Sequence, residues 1–190
     1  LTGRRALVTG ANTGIGQAIA VGLAQAGADV ICAGRRTCDE TLGGITDAGG
    51  TASSVLVDFA DPMAGQGLFD GQPIDILVNN AGGFPPKPVL ETSAREFEGA
   101  FRFNVSTAFE MSRICAPLMK DSGSDGNILN ISSVAGHKPT PCFAAYGTAK
   151  GALSLLTQEL AQEFAPHLRV NAIAVGSTKN FGSCFSSNST

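Results

Sequence analysis

The residues whose types and spacing most clearly suggest chemistry are Tyr146, the only tyrosine of the chain, and Lys150 four positions later. Residues four apart on a helix share a face, so a phenol and an ammonium can stand side by side. A free phenol titrates near ~10 and a free lysine near ~10.4, and a neighbouring positive charge favours the phenolate. The pair therefore reads as a proton donor and acceptor able to work near neutral pH; the same spacing also serves plain surface pairs. Ser132 and Ser133 close the run Asn130-Ile131-Ser132-Ser133. A hydroxyl at the carboxyl end of a strand can hydrogen-bond a substrate carbonyl and steady oxyanion character. No His or Asp nearby completes a nucleophile pattern, so a polarising role is expected, with a strand-end cap as the alternative.

A second constellation is Thr9-Gly10-Ala11-Asn12-Thr13-Gly14-Ile15-Gly16. Glycines let backbone N–H groups approach a pyrophosphate closely. A helix opening here would aim its orphan donors and positive end at the anion. The spacing is Gly-x-x-x-Gly-x-Gly, not the Gly-x-Gly-x-x-Gly of ordinary dinucleotide folds. Gly34-Arg35-Arg36 offers no carboxylate for a ribose 2′-hydroxyl, whereas two guanidinium forks suit a 2′-phosphate. That favours NADP(H) over NAD; alternatively the arginines form a solvated loop. Asp58, ahead of Phe59, could accept from an adenine amino group or cap a turn.

These residues need elements to hold them. Near-continuous apolar runs at 5–9, 29–33, 54–57, 74–79, 127–132 and 169–174 predict strands buried on both faces of a parallel sheet. Helical periodicity falls between them at 14–26, 93–103, 105–120 and 146–164, with weaker helical stretches at 37–50 and 61–71. Pro117 should kink its helix or start its last turn. Strand–helix alternation of this kind gives an α/β doubly wound parallel sheet of about six strands with helices on both faces. Residues 1–176 read as one domain, and 177–190, rich in Ser, Thr and Asn, as an irregular tail.

Composition narrows the partners. Among 190 residues, 13 Lys+Arg against 16 Asp+Glu give a net charge of −3, which argues against nucleic acid. No run approaches the ~20 apolar residues of a membrane helix, and the first residues lack a secretory segment. Five scattered cysteines without a CxxC pair predict neither a disulfide framework nor a metal site, and suit a reducing, cytoplasmic setting. Phe84, Val134, Pro141 and Phe143 could wall a pocket or simply pack, and His137 could line it or be a solvated loop histidine. Cys142 falls near the expected site with nothing around it to lower a thiol pKa, and His167 suits a helix C-terminus.

Taken together, the sequence resembles the short-chain dehydrogenase/reductase family, with its Rossmann-like fold. Thr9–Gly16 matches the family's Thr-Gly-x-x-x-Gly-x-Gly turn, and Asn79-Asn80-Ala81-Gly82 its Asn-Asn-Ala-Gly segment. Ser133, Tyr146 and Lys150 stand in the family's order, and Asn104 falls where the family has a fourth catalytic residue. The resemblance covers about residues 1–176. It implies hydride transfer between NAD(P)(H) and a small carbonyl or alcohol. Tyr146 would be the general acid/base, Lys150 would lower its pKa and hold the nicotinamide ribose, and Ser133 would orient the substrate. Asn104 would interrupt its helix and, through a water, link Lys150 to solvent. Gly10, Asn12, Thr13, Gly14, Ile15, Gly16, Arg35, Arg36, Asp58, Phe59, Asn80, Ala81, Gly82, Gly176 and Thr178 would hold the dinucleotide. Relatives usually form homodimers or tetramers, so self-association through 105–120 and 146–164 is expected. The sequence departs from the family at Val175-Gly176, where Pro-Gly is usual. Family members run roughly 60 residues further. The sequence thus suggests a C-terminally truncated chain with an exposed sixth strand, and a binding-only fragment is the alternative reading.

Overall fold

The structure, a computed structural model, describes residues 1–59, 61, 73–121 and 125–177. Its centre is a parallel sheet built from β1 (Arg5–Thr9), β2 (Asp29–Gly34), β3 (Thr51–Leu56), β4 (Ile76–Asn79), β5 (Gly126–Ser133) and β6 (Leu168–Val175). Their order is β3-β2-β1-β4-β5-β6. The chain moves outward from β1 to β3, then crosses back to place β4 on the other side of β1. Ligands of open α/β sheets bind above such a reversal, at the carboxyl ends of the strands.

Alternate residues of the central strands feed two cores. Leu7, Ile31, Leu77 and Ile128 face α4 (Thr107–Asp121) and α5 (Ala144–Phe164), meeting Met111, Cys115, Met119 and Leu160. Ala6, Val8, Val30 and Val78 face α1 (Gly14–Gln25) and α2 (Asp39–Asp47), meeting Ala20, Ala24 and Ile45. Full burial of each branched side chain contributes about 1.5–3 kcal/mol, which fixes β1, β2, β4 and β5 as the interior of the sheet. The expectation of two-sided burial fails at the edges. β3 is largely exposed, and β6 alternates only over its first residues. The reason is position: each of these strands has a neighbour on one side only among the described residues.

The weak helix expected at 37–50 is α2, shortened at both ends, while the one expected at 61–71 lies almost wholly outside the described residues, as does nearly all of the tail. Pro117 stands inside α4, one turn from its end. The gap left between the two predicted helices at Asn104 is a π-turn, Arg102–Ser106, joining α3 (Ala94–Phe101) to α4. A capping box opens α3: Ser93 accepts from the Glu96 N–H, and the Glu96 carboxylate accepts from the Ser93 N–H.

A buried polar chain crosses the sheet. Asn79 Nδ2 on β4 donates to Asn130 Oδ1 on β5 (2.8 Å) and to Ser112 Oγ on α4 (3.2 Å). Asn130 Nδ2 donates to Thr157 Oγ1 on α5 (2.9 Å). The side-chain amide of Asn79 thereby ties the two central strands to each other and to α4.

Candidate active site

The anion turn is held from beneath by β4. Thr9 Oγ1 donates to Val78 O and accepts from the N–H groups of Asn80 and Ala81, both at 2.9 Å. Asn80 Nδ2 donates to Thr9 O (2.9 Å) and Gly10 O (3.2 Å). Asn80 therefore frames the turn, and its amide is occupied by the turn's own backbone. Two glycines are required by conformation and contact. Gly14 opens α1 at φ +61 with open space where a Cβ would stand. A Cβ on Gly16 would collide with Gly10 O, closer than any real Cβ contact. Thr13, the N-cap residue, makes no side-chain capping bond. The first N–H groups of α1 have no intrahelical acceptor, so they remain available to a phosphate. The cradle fits a dinucleotide.

Asn12 Oδ1 borders Gly34, where an added Cβ would lie 3.2 Å from it. Beyond Gly34, Arg35 and Arg36 are exposed, and the Arg35 guanidinium lies 5.8 Å from the Phe103 ring centroid. Asp58 is exposed and Phe59 buried, with Phe59 O accepting from Thr107 Oγ1 at 3.0 Å. Gly176 is exposed just past β6; Thr178 lies outside the described residues.

On the other side of β1, Ser133 ends β5 and Tyr146 and Lys150 stand on the first turns of α5. The Ser133 hydroxyl acts on the Tyr146 phenol in the direction that lowers its pKa. Phe143 packs edge-on against the Tyr146 ring, with centroids 5.9 Å apart. Lys150 is 4% exposed, and its Nζ donates to Ile131 O at 2.7 Å. Among the described residues no carboxylate pairs with it, and burial depresses its pKa to about 8. The ammonium lies 5.8 Å from the Tyr146 ring centroid.

This geometry corrects the expected acid–base relation. Burial is the largest influence on Tyr146 and raises its pKa, and the Ser133 hydrogen bond lowers it in part. The Lys150 ammonium donates to Ile131 O, and burial lowers its own pKa to about 8.

Asn104 interrupts its helix as the sequence suggested, and the structure shows how. Its Nδ2 donates to Ala100 O (2.8 Å) and Gly83 O (3.1 Å), and its Oδ1 accepts from the Gly83 N–H (2.9 Å). The side-chain amide thus serves the Ala100 carbonyl of the helix and both backbone groups of Gly83 in the loop, at the π-turn that breaks the regular ladder. Gly82 allows this: an added Cβ would lie 2.7 Å from Asn104 Oδ1 and 3.1 Å from Lys150 Nζ. Sequence reasoning did not assign a role to Thr9, although its place before the first glycine of the turn could have flagged it. It also did not foresee that His137 Nε2 lies 3.2 Å from Ser154 Oγ on α5, with both residues lining one cavity.

A doubly wound sheet, an anion cradle at α1 and a Ser–Tyr–Lys group across the topological reversal define a nicotinamide-dinucleotide-dependent oxidoreductase. The chain belongs to the short chain dehydrogenase family, whose sequence profile matches residues 4–183. It is 43% identical over 179 residues to an uncharacterized oxidoreductase of Mycobacterium tuberculosis, covering 90% of this chain and 68% of the relative. It is 37% identical over 174 residues to carbonyl reductase [NADPH] 2 of Sus scrofa, covering 90% and 70%. A crystal structure from Agrobacterium tumefaciens, provisionally described as a 2-deoxy-D-gluconate 3-dehydrogenase with bound NADP, superposes with a TM-score of 0.87 at 44% identity. That match covers 92% of this chain and 71% of the other. Among the described residues no helix is long and apolar enough to cross a membrane.

Proposed function

We propose that the protein interconverts a small carbonyl compound and its alcohol, with NADP(H) as its preferred dinucleotide. The observation that carries this reading is the meeting of Ser133, Tyr146 and Lys150 at the carboxyl edge of the sheet, facing Gly82 and Asn104. When bound, the dinucleotide supplies or receives the hydride. Gly10, Asn12, Thr13, Gly14, Ile15 and Gly16 would hold its pyrophosphate, Arg35 and Arg36 its 2′-phosphate, and Asp58 and Phe59 its adenine. Asn80, Ala81 and Gly82 would frame the cradle, with Gly176 and Thr178 at the nicotinamide end. Similarity to a named carbonyl reductase supports the carbonyl as the reacting group.

In reduction, the Ser133 hydroxyl donates to the substrate carbonyl oxygen and places it against Tyr146. The phenol O–H gives its proton to that oxygen as hydride reaches the carbonyl carbon. Burial keeps the phenol protonated at neutral pH, so it is ready to act as the acid of the reductive direction. Lys150, held by Ile131 O, supplies positive charge beside the phenolate left behind and holds the nicotinamide ribose. Asn104, next to Lys150, is the route by which a water would return the proton. Self-association through α4 and α5 belongs to the same reading, supported by Phe109 on α4 and Leu155 on α5, which are 42% and 56% exposed. A cytoplasmic setting accompanies it.

Tyr146→Phe tests the proposal. Loss of general acid catalysis should cut kcat on a panel of small carbonyls about 10²–10⁴-fold, with NADPH affinity within about twofold of the parent. Turnover that survives the substitution would refute it.

A further inference from the structure

We propose that His137 is a positioning residue for this reaction: acting through Ser154 and Ser132, it pins the strand-end turn that carries Ser133 to the turn of α5 that carries Tyr146 and Lys150. The proposal rests on the roles of Ser133 and Tyr146 given above.

Ser133 is followed by a short 3-10 turn, Val134–Gly136, capped by His137. This turn sits backbone to backbone on α5. A Cβ on Gly136 would lie 2.6 Å from Gly151 N, and one on Gly147 would lie 2.7 Å from Ala135 O. Glycines on both sides bring the two segments together, but a smooth backbone seat does not fix how far one slides along the other. Side-chain hydrogen bonds do. Ser132 Oγ and Ser154 Oγ are 2.8 Å apart, each lies 3.1 Å from Lys150 O, and His137 Nε2 lies 3.2 Å from Ser154 Oγ.

Each hydroxyl has one proton, and the Ser154 hydroxyl stands within reach of Ser132 Oγ, Lys150 O and His137 Nε2 at once. His137 therefore closes a chain of hydrogen bonds that starts in the strand-end turn past Ser133 and ends on the main chain of Lys150. Its effect is on the distance and angle between Ser133 and Tyr146.

The experiment compares His137→Leu, Ser154→Ala, their double variant and His137→Gln. His137→Leu and Ser154→Ala should each lower kcat roughly three- to tenfold, the worth of one hydrogen bond of this kind, while KM for NADPH stays within about twofold. The double variant should be no worse than the poorer single one, because both break the same link. His137→Gln keeps an N–H donor in place and should recover most of the loss. A second readout is independent of turnover. With one tyrosine and no tryptophan in the chain, ultraviolet phenolate absorbance reports Tyr146 alone. Its midpoint should rise in His137→Leu, as the Ser133 bond weakens, and return in His137→Gln. Unchanged kcat together with an unchanged phenol midpoint in His137→Leu would overturn the proposal, as would fully additive losses in the double variant. Should Tyr146→Phe retain turnover, the assignment of Tyr146 fails by itself, and the phenol midpoints still decide the coupling.

Discussion

Replacing Lys150 by methionine should change how stability depends on pH. Lys150 is 4% exposed with its Nζ on Ile131 O, and its folded pKa is about 8 against 10.5 for the free side chain. A depressed lysine pKa means that folding is penalised while the unfolded lysine is charged. The penalty is absent above pH 10.5, grows as pH falls, and is complete below 8. Its full size is the shift times ~1.4 kcal/mol per unit, or about 3 kcal/mol. Between pH 7 and 9.5 the penalty falls by about 2 kcal/mol. The parent should therefore gain about that much relative to Lys150→Met over this range, or ~4–8 °C in Tm for a chain of this size. Burial also raises the thiols of Cys32, Cys38 and Cys115, which costs stability as pH rises past their unfolded values. Those groups are common to both proteins and cancel in the difference. Urea unfolding of the two proteins at half-unit pH steps is the assay. A gap between them that stays constant from pH 7 to 9.5 would show that Lys150 keeps an ordinary pKa, and the argument for a buried, weakly held ammonium would fail.

Two further outcomes follow from the site. Arg35→Ala with Arg36→Ala should weaken NADPH binding tenfold or more, at roughly 1.5–3 kcal/mol for charge-assisted bonds, and leave NADH nearly untouched; calorimetry that finds an unchanged NADPH/NADH ratio would remove the case for NADP. Gly82→Ala places a methyl 2.7 Å from Asn104 Oδ1 and 3.1 Å from Lys150 Nζ. It should cost ~1–3 kcal/mol of stability by overpacking and depress kcat, both measurable on one purified sample by denaturant melts and initial rates.

The anion turn and the Tyr146–Lys150 spacing were legible because they are local: a few consecutive residues, or one helical turn, contain the whole signal. The break at Asn104 was implied by the family resemblance and not by the residue itself, since a lone asparagine there reads equally as a helix cap. What stayed hidden depends on partners far along the chain. Lys150 donates its ammonium to Ile131 O, which lies on β5 and is not foreseen by the i, i+4 rule. His137 and Ser154 meet only because β5 and α5 pack side by side. β3 was read too short because Thr51, Ala52 and Ser53 lack a strand's apolar signature, and an edge strand does not need one.

The amide of Asn79 gives the sheet a key as well as a bond. Apolar strands of similar shape could settle against each other one residue out of step at little cost in oil-like contact. Such a slip would carry Asn79 away from Asn130, and Asn130 away from Thr157. It would strand several buried amide and hydroxyl groups without partners, at ~1–3 kcal/mol each. The oil of this core is indifferent to alignment, and the thread of amides through it selects the one arrangement in which Asn79, the last residue of its strand, stands opposite Asn130 and the neighbouring strand runs on to Ser133.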